Sequence, residues 1–86
     1  MPRTRPQART RKVTARAILE DPNFERGLRE AREGVPFDPD NGSWEYERGR
    51  QYADIVPIGF MLFNRGRVNP IALKVFRIAF ARGWIK

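Results

Sequence analysis

Apolar residues recur at helical spacing in several stretches of this chain, and polar start and stop signals bound these stretches. Thr14 is a suitable N-cap for a short helix, which Asp21-Pro22 ends. The next helix begins either at Asn23 or at Pro22 with Asp21 as its cap, and Gly34 stops it. The pattern therefore predicts a short helix followed closely by a longer one.

The strongest pattern is an eight-residue phrase that occurs twice, with the second copy 22 residues after the first. Residues 24–31 and 46–53 share the order aromatic-Glu-Arg-Gly-x-x-x-Ala, which places the aromatic, glycine and alanine on one stripe of a helix. Glycine costs a helix interior up to about 1 kcal/mol relative to alanine, so two equivalent glycines indicate a close approach of two backbones. We predict a helical hairpin over residues 22–55 whose helices cross at Gly27 and Gly49. Coincidence in a Glu/Arg-rich chain is the alternative.

A turn and an apolar connector follow the two halves of this hairpin. Residues 35–42 contain two prolines and a closing Asn-Gly, which indicates a rigid turn. Ser43 is a good N-cap for the second helix, and Pro57 limits that helix. The connector over residues 56–68 can continue as a short buried helix or lie extended, and it includes a basic turn over residues 64–67.

The last predicted element is a C-terminal helix over residues 69–83, started by Asn69-Pro70 and stopped by Gly83. We expect its buried side to be the stripe formed by Ile71, Val75, Ile78 and Ala79. The surface expected to cover this stripe is the apolar part of the connector: Ile58, Phe60, Leu62 and Phe63.

Together these elements predict an all-α fold, a small helical hairpin with a glycine-mediated crossing and an added C-terminal helix. Residues 13–86 then form one small domain. Residues 1–12 combine proline, arginine, threonine and glutamine without a core-forming side chain, so they are predicted to be a disordered basic arm.

The composition excludes many kinds of chemistry. The chain has no cysteine and no histidine, which excludes disulfides, the usual zinc sites, thiol catalysis and imidazole acid–base catalysis. The carboxylates show no convergent pair in the sequence. We therefore expect no catalytic residues, no metal and no cofactor, and a protein that is not an enzyme.

Charge is distributed in three blocks along the chain. Residues 1–16 contain six basic residues and no acid, residues 17–54 have a net charge of −5, and residues 55–86 again contain six basic residues and no acid. Two cationic ends and an acidic middle would orient the chain on an anionic polymer. A set of solubilising charges is the alternative interpretation.

The type of basic residue and the nearby aromatics favour nucleic acid as that polymer. Arginine outnumbers lysine fourteen to three, and its planar guanidinium binds phosphate bidentately and stacks on bases. Phe76, Phe80 and Trp84 are candidate stacking platforms, although core packing is the favoured role of both phenylalanines. The candidate nucleic-acid contacts are Arg3, Arg5, Arg9, Arg11, Lys12, Arg16, Arg65, Arg67, Lys74, Arg77, Arg82 and Trp84.

Residues 24–53 also resemble the ribosome modulation factor family. The matching features are the two helical phrases and the Pro-aromatic turn between them, namely Arg26-Gly27 through Gly34, Pro36-Phe37 and Tyr46-x-x-Gly49-x-x-x-Ala53. The resemblance implies a helical hairpin that contacts ribosomal RNA and blocks the message-binding region of the small subunit. This chain departs from the family pattern at Val35, where the family has cysteine, in its acidic hairpin, and in residues 55–86, which have no counterpart.

The function predicted from these features is a non-catalytic protein that associates with nucleic acid, with RNA or the ribosome favoured. The alternative is a phage-encoded or virion component that docks on a host or capsid protein. A basic amphipathic helix on an anionic membrane is a weaker third hypothesis, because the cationic face over residues 70–82 is narrow. No apolar stretch reaches the roughly 20 residues of a membrane span, and the cytoplasm, or a virion, is the expected location. The oligomeric state stays open.

Overall fold

The computed structural model describes residues 14–86, and the predicted arm over residues 1–12 lies outside the described residues. The described part is mostly helical, as predicted, with one small two-stranded antiparallel sheet. In chain order its elements are α1 (Ala15–Glu20), α2 (Pro22–Arg32), α3 (Trp44–Ala53), β1 (Phe63–Asn64), β2 (Arg67–Val68) and α4 (Pro70–Ala81).

The junction of α1 and α2 depends on a single residue, Asp21. The Thr14 hydroxyl accepts a hydrogen bond from the backbone N–H of Ala17 and caps α1, as predicted. The backbone N–H of Asp21 donates to the Ile18 carbonyl at the end of α1, while its carboxylate accepts from the Asn23 N–H at the start of α2. Asp21 therefore ends one helix and starts the next, with Pro22 in the first turn of α2.

The two helices of the repeat pack directly against each other at the two glycines. A Cβ atom added to Gly27 would overlap the backbone carbonyl of Tyr46, and one added to Gly49 would overlap the backbone carbonyl of Phe24. The glycine of each phrase thus lies against the aromatic residue of the other phrase. This reciprocal contact is the physical reason for two glycines at equivalent helical positions.

Helix α3 ends at Ala53, two residues before the predicted end of the hairpin at residue 55. The N–H groups of Ile55 and Val56 both donate to the Tyr52 carbonyl, which turns the chain before Pro57. This turn buries Val56 in the core, and the gain in apolar burial explains the early end of the helix.

The connector forms a tight hairpin instead of a helix. Phe63 pairs with Val68 and Asn64 pairs with Arg67 across the sheet. The two turn residues, Arg65 and Gly66, both have positive φ angles of 55° and 81°, as a type I′ turn requires. The basic turn was predicted, but strands this short leave no alternating pattern that could predict the sheet.

Helix α4 begins and ends where predicted, and its predicted buried face is correct at Ala79 but wrong at Ile71 and Ile78. The Asn69 side chain caps its start and Arg82 is its C-cap, followed by Gly83 with φ 76°. The buried residues are Ala72, Phe76 and Ala79, whereas 61% of Ile71 and 40% of Ile78 remain exposed.

Small residues lie on the buried side of α4. Ala72 and Ala79 are fully buried, and the hydroxyl of Tyr52 on α3 donates to the Ala72 carbonyl over 2.8 Å. Ile58 was expected to help cover the apolar stripe of α4, but its side chain is 85% exposed.

Three aromatic rings from α2, α3 and α4 form the centre of the core. The ring centroids of Phe24 and Tyr52 are 5.5 Å apart, and that of Phe76 lies 5.7 Å from Phe24 and 6.1 Å from Tyr52. Buried aliphatic residues surround them: Ile18, Leu19, Leu28, Val56, Leu62, Val68 and Ile85. Burial raises the pKa of the Tyr52 hydroxyl to about 12.

Candidate nucleic-acid interface

The three charge blocks of the sequence correspond to different elements of the fold. All ten acidic residues lie between residues 20 and 54, at the end of α1, in α2 and α3, and in the turn between them. The sheet, α4 and the C-terminal residues carry only basic charges. The hairpin of α2 and α3 is therefore acidic, and the second half of the described chain is cationic.

Inside the hairpin, Arg26 forms ion pairs with two carboxylates of its own chain. Its Nε donates to Glu30 over 2.6 Å and its Nη2 donates to Asp38 over 2.9 Å. Glu30 also accepts a 2.8 Å hydrogen bond from the Tyr46 hydroxyl, which in turn accepts from the Asp38 N–H. The hydrogen bond from Arg26 lowers the pKa of Glu30, and the same bond raises the pKa of Arg26. This network joins α2, the turn and α3.

Two further hairpin arginines hold other segments of the fold. Arg32 donates to the carbonyls of Pro57 and Phe60 and so ties the end of α2 to the connector. Arg48 donates to the backbone oxygen of Lys86, and its guanidinium lies 4.5 Å from the centroid of the Trp44 ring. These arginines act within the fold and are not available to an external anion.

The predicted cationic contacts of the second half are all exposed. None of these side chains forms a hydrogen bond or an ion pair with a carboxylate within residues 14–86. Arg16 on α1 shares this property. The predicted members of this set are Arg16, Arg65, Arg67, Lys74, Arg77 and Arg82, and the exposed Lys86, which was not predicted, lies with them. The remaining predicted contacts, Arg3, Arg5, Arg9, Arg11 and Lys12, lie outside the described residues.

Packing of α1 places the entry of the N-terminal basic segment on the cationic side of the molecule. Helix α1 contacts both α4 and β2. Ala15 and Ile18 of α1 line a shallow groove together with residues of α4, which are Phe76, Arg77, Phe80 and Ala81. Thr14, through which residues 1–13 join the fold, therefore adjoins the groove that Arg77 borders. The residue at which the N-terminal cationic block joins the fold therefore lies close to α4, which belongs to the C-terminal cationic block.

The three candidate aromatics have different environments. Phe76 is buried in the core, so its prediction as a stacking platform was wrong and its prediction as a core residue is confirmed. Phe80 is half exposed, with its ring stacked on Phe76 at 6.0 Å and set edge-on to Trp44 at 6.2 Å. Trp84 is 55% exposed, and the Arg82 guanidinium lies 5.4 Å from its ring centroid.

Sequence reasoning missed Trp44 as a member of this surface. Trp44 is the first residue of α3, and its ring is partly exposed between Arg48 and Phe80. The sequence indicated only a helix start at this position. Its contact with Phe80 depends on the packing of α4 against the hairpin, which no local pattern encodes.

In residues 14–86 no three carboxylates lie close enough together to hold a metal ion. None of the helices over the same range is both long and apolar enough to cross a bilayer. Comparisons with protein families, with curated proteins and with solved structures find no match to this chain. The resemblance of residues 24–53 to the ribosome modulation factor family therefore stays a prediction.

Proposed function

We propose that the chain is a non-catalytic nucleic-acid-binding protein that prefers single-stranded or looped RNA. The observation that carries the proposal is the separation of charge in the fold. Arg26, Arg32 and Arg48 of the acidic hairpin are bound to groups of their own chain, whereas the exposed cations of α1, the sheet and α4 have no acidic partner among the described residues. Unpaired arginines at high density are the usual means of neutralising phosphate.

The proposed binding mode combines phosphate contacts with base stacking. Guanidinium groups contact the backbone, while the exposed rings of Phe80 and Trp84 offer faces on which unpaired bases stack. Stacking of this kind requires bases outside a duplex, and recognition of RNA commonly uses loops and single strands. The acidic hairpin repels the same polyanion, so the protein would bind in one orientation.

The proposal is tested by two single substitutions that remove the same charge from different sides of the molecule. Arg77→Gln neutralises an exposed residue of α4, and Arg29→Gln neutralises an exposed residue of α2. Fluorescence anisotropy with a labelled single-stranded RNA measures affinity over a range of salt concentrations. Each phosphate contact contributes about 0.7 to the salt slope for a single strand, so Arg77→Gln should lower the slope by about that amount. Arg29→Gln should leave the slope unchanged, because this side chain lies on the acidic hairpin. Equal losses in both variants, or no RNA binding at low salt, would contradict the proposal.

A docking protein, phage-encoded or otherwise, is the competing function. It is supported by the large apolar side chains exposed in residues 14–86, which include Ile58, Met61, Ile71 and Ile78. The absorbance ratio at 260 and 280 nm of the purified protein, before and after a high-salt wash, separates the two functions. Co-purified nucleic acid that the wash removes supports the first function, and its absence supports docking.

A further inference from the structure

A narrow apolar strip runs along α4 on the side that the sequence pattern assigned to the core. Ile71 and Ile78 are exposed and Val75 between them is only partly buried. Asn69 extends this surface to the connector, because its side chain accepts from the Ile71 N–H and donates to the carbonyl of the exposed Met61. We define Ile71, Val75 and Ile78 as the α4 strip. Val75 also packs partly against the core, whereas 61% of Ile71 and 40% of Ile78 are exposed.

The spacing of the strip suits a helical partner. Its three residues and the following Arg82 stand at successive intervals of four, three and four positions. Alternation of three and four is the heptad pattern by which one helix packs along another. The strip occupies only one edge of α4, since the adjacent edge carries the buried Ala72 and Ala79. One helix alongside α4 would cover it.

The strip lies away from the groove between α1 and α4. The α4 residues that line the groove are centred about 160° around the helix from the strip, at 100° per residue. Isoleucine and valine side chains offer neither a charge nor a hydrogen-bond donor to a phosphate backbone. The strip is therefore a separate surface from the groove that Arg77 borders.

The charges around the strip select an acidic partner. Lys74 flanks the strip and Arg82 continues its line, and neither forms an ion pair among the described residues. The bordering elements, α4 and the connector, contain no carboxylate between residues 55 and 86. Glutamate or aspartate beside the apolar residues of a partner helix would complement these cations.

The same charges count against two other occupants. A second copy that used the same strip would bring two cationic helices together, and their like charges would repel. A membrane surface requires a broad apolar face, and the strip is one side chain wide. We propose that the α4 strip is the docking site of an acidic amphipathic helix of a partner protein.

The test uses a synthetic three-heptad peptide with leucine at positions a and d and glutamate at positions e and g. Mutual repulsion of the glutamates limits pairing of the peptide with itself. Titration of the labelled peptide with the full chain should give saturable binding, and NMR shifts should map to α4. The double variant Ile71→Ser/Ile78→Ser should weaken binding at least about tenfold, since it removes two apolar contacts. A control peptide with lysine in place of glutamate should not bind.

Ile58→Ser is the matched control, because it removes an exposed isoleucine outside the strip. It should leave peptide affinity unchanged, and RNA affinity should persist in the double variant, which separates this inference from the proposed function. Absence of saturable binding to the glutamate peptide, or equal binding of both peptides, would overturn the proposal. So would a self-association, or an adsorption to vesicles containing phosphatidylserine, that the double variant abolishes. Thermal melts confirm that each variant is folded.

Discussion

At the scale of single residues, the two helix-crossing glycines carry the most structural information. Gly27 and Gly49 each lie where a side chain would meet the backbone of the opposite helix. Backbone is less able to yield than a flexible side chain, so even one added carbon must push α2 and α3 apart. The requirement for glycine is set by packing here, because both residues have helical backbone angles.

We therefore expect Gly27→Ala and Gly49→Ala each to destabilise the fold by about 1–3 kcal/mol, although alanine is the better helix former. Chemical denaturation monitored by circular dichroism measures the free energy of unfolding. Gly42→Ala is the control, because a Cβ at Gly42 meets no atom within 4 Å and its φ angle is not positive. An increase in stability for both crossing variants would show that the helices do not meet at these glycines.

Glu30 is the residue through which the fold should respond to acid. Its pKa in the folded protein lies below the ordinary value, because its carboxylate accepts hydrogen bonds from Arg26 and Tyr46. A carboxylate with a lowered pKa stabilises the fold above its unfolded pKa of about 4.3, and that stabilisation disappears as the pH falls through the folded pKa.

Thermal melts between neutral pH and pH 3 should accordingly show a loss of stability, and Glu30→Gln should reduce this pH dependence. Glu25→Gln removes the same charge from an exposed position of α2 and should leave the pH dependence near that of the original chain. Identical acid profiles for the original chain and Glu30→Gln would contradict the assigned role.

At the scale of elements, α4 shows which parts of a helix the sequence can predict. Its ends follow from Asn69, Pro70 and Gly83, whose effects are local. Its buried face was predicted correctly at Phe76 and Ala79, but the pattern weighs large apolar residues and therefore chose Ile71 and Ile78 over the buried Ala72. The burial of Ile85 likewise depends on the turn at Gly83 and could not be seen in the helix pattern.

The corrected face gives a prediction for two substitutions that remove large apolar side chains from α4. Phe76→Ala should destabilise the fold by about 3–5 kcal/mol, because Phe76 packs between Phe24 and Tyr52. Ile78→Ala should destabilise the fold by about 1 kcal/mol at most, since 40% of Ile78 is exposed. Urea denaturation of the two variants provides the comparison. A larger loss of unfolding free energy for Ile78→Ala than for Phe76→Ala would show that the face expected from the sequence is the buried one.

The same contrast applies to the hairpin and the connector. The repeated phrase was sufficient to predict which helices pack and at which residues, because both glycines depart from helix preference in equivalent places. The sheet over residues 63–68 was not predictable, since its strands are too short for a period to appear. Local rules therefore predicted the ends of the helices and the position of the helix crossing. They did not predict the features that depend on tertiary packing.

At the scale of the whole molecule, the distribution of charge along the sequence is retained in the fold. The blocks of the sequence are separate elements in the fold, and the cations predicted for residues 16 and 65–86 are exposed. The sequence could not show that α1 packs on α4, which places the junction of the N-terminal segment beside Arg77. It also could not show that Trp44 joins Phe80 at the surface.

We propose that the cationic ends of the chain bind RNA, and the salt dependence of affinity tests this proposal most directly. Residues 1–12 contain five basic residues, so a protein of residues 13–86 should bind a single-stranded RNA more weakly. If about four of these residues contact phosphates, the slope of the logarithm of affinity against that of salt concentration should fall by roughly three. Fluorescence anisotropy of both proteins on one oligonucleotide measures this difference. A full chain that binds RNA with no salt dependence, or a slope that deletion of residues 1–12 leaves unchanged, would contradict this account.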